Sequence, residues 1–564
     1  MKIIFMKFFI PHILLFIFLF LNGCTNNDSK ERYKNGMVVS AKIEASNAGI
    51  EILKKGGNAF DAMIATDLAL SVVYPNAGNI GGGGFMVYRL SNGENGTLDF
   101  REKSPKNSFE DMYLDKFGNE ILNLSTKGAL AVAVPGTIAG LFEVYEKFGS
   151  LPLEVIFKPA INLAENGFIL TAKQVQTLNN YRNEINEVNG SLELFKNEFK
   201  EGDFFINKAY GRTLRRILNN GEKEFYNGEI AKEIVDYLND KGGIITLEDL
   251  SMYKPVWRNS LELEYKGLKI ITMGPPSSGG IVLGQILKMI EPFDLSKLNH
   301  NSEKYIQLLT ESERRSFADR SKYLGDPDFN YIPVKKLLDK NYINSRMKDF
   351  TFDKATPSAS VFSGELKLLE SNETTHYSIA DSMGNIVSVT TTLNGNYGSK
   401  LFPPNLGFFL NNEMDDFSKK PGLPNMYGLI GGEINSVQPG KRMLSSMTPT
   451  IVEKNNMPYM VLGSPGGPTI ITSVLQTILN FNDFNFNIQK SVDLPRFHHL
   501  WFPDKIFYEN KLLNTQMEKS LIKKGYLLNN YPSSIGRVDA IYIDNEGYFF
   551  GGADKRGDDK YIGF

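Results

Sequence analysis

Residues 371–394 read SNETTHYSIADSMGNIVSVTTTLN, and the pairing of its two arms decides the fold. Two runs rich in β-branched and aromatic residues, Thr374–Asp381 and Asn385–Thr392, flank Ser382, Met383 and Gly384. This is the pattern of a hairpin with a three-residue turn. With Asp381 and Asn385 flanking the turn, Thr374 faces Thr392, His376 faces Thr390, and Ser378 faces Ser388. Alternation puts those six on one face and Tyr377, Ile379, Val387 and Val389 on the other. One face suits a core, and the other is a row of hydroxyls holding one histidine. A one-residue slip would put Thr391 on that row instead. Taken alone, such a row also describes a solvated or hydrogen-bonded sheet face.

Working outward, the runs GFFLNNE (407–413), TPTIVEK (448–454) and PYMVLGS (458–464) read as further strands, followed by an apolar helix in PTIITSVLQTILNF (468–481). Upstream, residues 41–74 carry two helical patterns separated by Gly56-Gly57, and GGGGFMVYRL (81–90) and GTLDFRE (96–102) form a second hairpin around SNGEN. Residues 108–350 read as mixed and mostly helical. Without a regular βαβ alternation, this predicts an α+β layered fold rather than a doubly wound parallel sheet. Gly81–Gly84 is followed by no Gly-Lys-Ser/Thr, so it reads as close helix–strand packing and not as a phosphate loop. His498-His499 invites a metal site, but adjacent strand residues point apart and no carboxylate–histidine cluster accompanies them. Both read as structural, as does His376.

The chain has 564 residues, with 42% hydrophobic and 22% charged, which is an ordinary globular composition. Lys+Arg number 62 against 64 Asp+Glu, so neither a nucleic-acid surface nor an acidic arm is indicated. The start, MKIIFMKFFIPHILLFIFLFLNGC, has lysines at 2 and 7, an apolar run from Phe8 to Leu21, and Gly23 before Cys24. The run is broken by Pro11 and His12 and falls short of the ~20 residues that span a bilayer. It reads as an export signal over 1–23. Leu-Asn-Gly-Cys resembles the bacterial lipoprotein signal, in which the cysteine becomes the lipidated first residue. Cys24 is the one cysteine, so no intrachain disulfide forms, and 24–35 reads as a polar tether. The expected location is the periplasm or cell envelope, anchored to a membrane.

TTHYS…DSMGN…TTTLN, NNEMDDFS, PNMYGLIGG, KRMLSSMTPTIV and GSPGGPTIIT together resemble the γ-glutamyltransferases (γ-glutamyltranspeptidases). GGNAFDAMIA, GGGGFMVY, DFREKSP, VPGTIAGL and PPSSGG are similar to the larger segment of the same family, in the same order. The resemblance implies an N-terminal-nucleophile hydrolase with an αββα sandwich. It implies a precursor that cuts itself between Glu373 and Thr374, giving a large segment (36–373) and a small catalytic segment (374–564) that stay together as a heterodimer. The expected activity is γ-glutamyl transfer from glutathione or a related donor to water or to an amino acid or peptide, with no metal or organic cofactor. The alternatives are an acylase-type amidase related to cephalosporin acylases, and an inactive binding lipoprotein.

The chemistry of the implied nucleophile is coherent. An N-terminal threonine carries a hydroxyl and an α-amine of pKa near ~8, a base suited to neutral pH. Thr392 is expected to orient the Thr374 hydroxyl. The pattern assigns Arg101, assisted by Ser445 and Ser446, to the donor carboxylate, and Asp416, with Asn394 and Glu413, to its ammonium. Asp415 is expected to be structural. Gly466 and Gly467 would supply N–H groups to the oxyanion, although Pro468 stands where relatives often carry Ser. Tyr427 would sit at the tip of a lid that acylases lack.

Overall fold

The computed structural model describes residues 31–361, 374–531 and 534–564. The signal, Cys24 and Glu373 lie outside the described residues.

Two antiparallel sheets stack face to face. The strands are β1 (Gly36–Ser40), β2 (Gly83–Arg89), β3 (Asn95–Asp99), β4 (Val256–Arg258), β5 (Leu261–Tyr265), β6 (Leu268–Thr272), β7 (Thr375–Asp381), β8 (Ile386–Thr392), β9 (Thr450–Lys454), β10 (Met457–Gly463), β11 (Asp539–Ile543), β12 (Phe549–Ala553) and β13 (Lys560–Gly563). One sheet runs β13-β1-β7-β8-β2-β3-β4 and the other β12-β11-β10-β9-β6-β5. Helices α1 (Ile43–Lys54) and α2 (Ala59–Val73) cover the outer face of the first sheet, sharing a core with Tyr377, Ile379, Val387 and Val389. Helices Gly279–Ile290, Glu303–Tyr323 and Thr469–Asn482 cover the second. Between the sheets lies a core of Met37, Val39, Phe85, Ile271, Ile451, Val461 and Ile541. These are the four αββα layers that the sequence implies. Residues on both sides of Thr374 share one sheet, because β7 and β8 lie between β1 and β2.

The hairpin has the expected register: Ser378 opposes Ser388, His376 opposes Thr390, and Thr375 opposes Thr391, which brings Thr374 level with Thr392. Asp381 fixes its turn. One carboxylate oxygen accepts from the Met383 and Asn385 N–H groups, each at 2.9 Å, and the other accepts from the Ala59 N–H at the start of α2. Gly384 takes φ +89°, a conformation few other residues adopt.

The hydroxyl row is a sheet-to-sheet seam rather than a solvated face. Ser378 Oγ donates to the Asp539 carbonyl, and Ser388 Oγ donates to that of Leu462 while accepting from the Thr450 N–H. Since Ser378 spends its proton on Asp539, it accepts from His376 Nε2 at 3.0 Å, leaving Nδ1 to accept from Thr390. That is a neutral histidine, and burial depresses its pKa to about 3.

Two sequence expectations change, and a third gains detail. GFFLNNE forms no strand: Leu410, Asn411 and Asn412 donate to Leu401, Gly81 and Leu393, three separate partners rather than one neighbouring strand. Gly81–Gly84 is demanded chiefly by strand and loop backbone rather than by a helix. A Cβ on Gly82 would lie 2.0 Å from the Thr392 carbonyl oxygen, and one on Gly81 2.2 Å from that of Phe409. The mostly helical 108–350 contains strands β4 to β6, whose last two form the edge of the second sheet.

Candidate active site

The ends of these elements converge on one buried pocket. Arg101, Thr374, Thr392, Asn394, Glu413, Asp416, Tyr427, Ser445, Ser446 and Gly467 all line it. Gly466 lines a separate cavity on the other side of the same loop. Thr374 is buried at the head of β7. Thr392 Oγ1 accepts from the Asn394 N–H at 2.7 Å, which leaves its own proton free to point at a neighbour. Asn394 adopts φ +71°, tolerated by asparagine, as the chain leaves β8. Thr391, by contrast, donates to the Gly83 carbonyl and serves the sheet.

Arg101 follows β3 and is almost wholly buried. Its Nη2 lies 2.5 Å from Asp416 Oδ2, and its Nη1 lies 2.8 Å from Glu413 and 3.4 Å from Glu102. Three carboxylates around one guanidinium is an acid excess. Burial raises the Glu413 carboxyl well above its usual range and that of Glu102 to about 7, against the pull of Arg101. Burial alone would lower the Arg101 pKa, but Glu413, Glu102 and Asp416 together hold it above the ordinary value. Asp416 also accepts from Asn425 Nδ2. Asp415 points elsewhere, accepting from Ser125 Oγ and from the Met426 N–H, and so ties down the 424–430 turn. Tyr427 in that turn donates to the Asn394 carbonyl at 2.5 Å and packs against Gly467, where a Cβ would meet its ring at 2.8 Å.

Ser445 and Ser446 line the same pocket. Behind them is a cation that the sequence reading missed: Arg320 donates from Nη2 to Ser446 Oγ at 3.2 Å and from Nε to Ser278 Oγ at 2.9 Å. Burial pulls its pKa down to about 10, opposed by Asp416, so it stays charged at neutral pH. Arg320 therefore places a positive charge directly behind Ser446. Gly466 and Gly467 take φ +126° and +52°, and Pro468 caps the helix that follows. Among the described residues, neither glycine N–H is spent on a hydrogen bond.

The two adjacent histidines are structural. His498 Nδ1 pairs with Thr472 Oγ1 at 2.9 Å, and His499 Nε2 lies 3.3 Å from Asp504. Burial depresses their pKa values to about 3 and about 4. With His376, three histidines bind protons in the unfolded chain near pH 6.5 but in the fold only near pH 3–4. Their folded pKa values are depressed, so stability is full above pH 6.5 and falls with pH below it. Melting temperatures should drop from pH 7 to pH 4.5, and the drop should be smaller in His376→Asn. An equal drop in both proteins would contradict this.

A buried threonine at a strand head, flanked by the other αββα layers, is the arrangement of an N-terminal-nucleophile hydrolase. A family model described as gamma-glutamyltranspeptidase matches residues 45–564. The chain is 42% identical over 545 residues to the glutathione hydrolase proenzyme of Escherichia coli K12, covering 94% of this chain and 92% of that protein. It is 33% identical over 532 residues to an acylase ACY 1 proenzyme of a Pseudomonas strain, covering 93% and 92%. The Helicobacter pylori gamma-glutamyltranspeptidase structure superposes with a TM-score of 0.56 at 43% identity, covering 59% of this chain and 96% of that one. The chain belongs to the γ-glutamyltranspeptidase family.

Proposed function

We propose that this chain is a self-processing γ-glutamyltransferase and glutathione hydrolase. The reading rests on one observation: a threonine at a strand head shares a pocket with Arg101, Asp416, Ser445 and Ser446. The Thr374 hydroxyl attacks the carbonyl of Glu373, and the C–N bond breaks, freeing the α-amine as the acyl group passes to oxygen. Water then hydrolyses the ester, freeing the threonine hydroxyl and the Glu373 carboxylate. That amine then takes the Thr374 hydroxyl proton, with Thr392 aligning the oxygen, as the threonine attacks the γ-carbonyl of the donor. Gly466 and Gly467 N–H groups receive the negative charge that builds on the carbonyl oxygen, a contribution of about 3–4 kcal/mol per donor.

The charges favour a γ-glutamyl donor over a bulky acyl group. Arg101 and Asp416 pair with each other. An α-amino acid head would replace that one pair by two, carboxylate to Arg101 and Ser445–Ser446, ammonium to Asp416, Asn394 and Glu413. An acyl donor without these charges gains nothing from either group. Tyr427 and its turn close over the donor. The protein is exported, lipidated at Cys24 and held at the cell envelope as a heterodimer of 24–373 and 374–564.

N-terminal sequencing of the smaller band on a denaturing gel tests the cut, with Thr-Thr-His-Tyr-Ser expected. Hydrolysis of a chromogenic γ-glutamyl anilide tests the donor. An active protein that stays uncut, or a cut protein that ignores the anilide, would overturn the reading.

A further inference from the structure

PPSSGG (275–280) does not line the donor pocket, yet it grips the segment that does. The Ser445 N–H donates to the Pro276 carbonyl at 2.9 Å. The Ser445 carbonyl accepts from the Ser278 N–H at 2.8 Å and from its hydroxyl at 2.7 Å. Ser277 Oγ donates to the Met447 carbonyl at 2.6 Å. A Cβ on Gly279 would lie 2.1 Å from Thr448 Oγ1, so glycine lets the two stretches close up. The backbone of Ser445 and Ser446 is therefore fixed, and the direction of their hydroxyls is what remains to be set.

Arg320 sets one of them. Its Nε donates to Ser278 Oγ and its Nη2 to Ser446 Oγ, so one guanidinium spans the gripping segment and the gripped one. With its oxygen accepting from Arg320, Ser446 turns its own proton away from the arginine. Ser445 Oγ likewise accepts from the Met447 N–H at 3.1 Å. Among the described residues neither serine uses its proton, so both O–H groups are open to a ligand oxygen in the pocket.

The two arginines of the site differ in what surrounds them. Arg101 has three carboxylates in contact, whereas among the described residues Arg320 has hydroxyl partners and no carboxylate within ion-pair distance. It is nonetheless buried and charged at neutral pH. A buried cation with hydroxyl partners alone is unfavourable until an anion comes near it.

We infer that Arg320 is a positioning residue for the α-carboxylate of the γ-glutamyl donor, directing the Ser446 proton into the pocket and placing its charge behind that hydroxyl. This rests on the donor reading proposed above. Arg320 acts through Ser446 and does not touch the donor. Its charge polarises the Ser446 O–H, which makes that hydroxyl a stronger donor to a carboxylate oxygen than a solitary serine would be. The carboxylate in turn supplies the negative charge that the buried guanidinium lacks. A simple clip between helix and loop would need hydrogen bonds but no charge, and this separates the two roles.

The test measures KM and kcat for a γ-glutamyl anilide and for its α-methyl ester, in the full-length protein, in Arg320→Gln and in Arg320→Lys. Unmodified protein should favour the acid. The glutamine keeps a hydrogen-bond donor and loses the charge. It should raise KM for the acid about tenfold, with kcat and the KM of the ester unchanged. The lysine keeps the charge but cannot hold both serines, and should raise KM for the acid about threefold. Melting curves and a denaturing gel check folding and self-cleavage; if the glutamine variant does not fold, the lysine variant carries the same comparison. Parallel rises in KM for acid and ester, or a fall in kcat with both KM values unchanged, would overturn the inference. Unmodified protein that leaves the anilide intact, or takes acid and ester alike, would instead overturn the donor reading.

Discussion

Thr374→Ala should yield a single uncut polypeptide whose γ-glutamyl hydrolysis is lower by roughly three orders of magnitude or more. Both effects follow from one atom. Alanine removes the oxygen that would attack Glu373 and the oxygen that would carry the acyl group. Because no cut occurs, the α-amine stays an amide and cannot act as a base. Thr374→Ser separates the two roles, since it retains the oxygen but loses the methyl group that restricts rotation about χ1. It should cut itself slowly and keep measurable activity. The neighbouring Thr375→Ala and Thr391→Ser should cut normally, because these residues belong to the sheet rather than the pocket. Normal processing of Thr374→Ala, read on a denaturing gel, would end the N-terminal-nucleophile mechanism.

Arg101→Gln carries the second large effect, on stability as well as binding. It leaves Glu102, Glu413 and Asp416 buried with no cation in contact, which costs about 3–5 kcal/mol. Those acids would then hold protons to higher pH in the fold than in the unfolded chain. Their stabilising contribution is present at low pH and lost as pH rises, so the deficit relative to unmodified protein should be larger at pH 8 than at pH 5. KM for a γ-glutamyl donor should rise by roughly a hundredfold. With a donor whose α-carboxylate is esterified, unmodified protein and variant should nearly coincide. A full hundredfold gap with that ester would show that Arg101 acts on something other than the carboxylate.

Much of this site was legible because strand chemistry is local. Alternation along THYSIAD and NIVSVTTT, with Asp381 and Gly384 at the turn, was enough to set the pairing that brings Thr374 level with Thr392. What alternation cannot reveal is which surface stacks on a face. The hydroxyl row therefore also read as a solvated or hydrogen-bonded face, and its burial against the second sheet emerged only in three dimensions. Arg320 was hidden for a related reason. Every residue from Tyr305 to Arg320 of its helix is buried, polar and apolar alike, so no stripe marks the side that reaches Ser446. GFFLNNE misled in the other direction: its apolar run is extended, but its backbone bonds go to scattered partners. The β5–β6 hairpin was readable from the alternation of LELEY and the β-branched run of LKIIT, which the surrounding helices obscured.

The interleaving of β7 and β8 between β1 and β2 bears on reversibility. While the chain is continuous, refolding is a first-order event, and the central strands are tethered to their neighbours. Once the bond before Thr374 is broken, the same sheet has to be rebuilt from two molecules, each exposing unpaired strand edges and half of every core. Recovery from urea would then depend on concentration and compete with aggregation. The cut form would owe its persistence to the height of the barrier against opening, while the uncut Thr374→Ala chain would retain a true folding equilibrium.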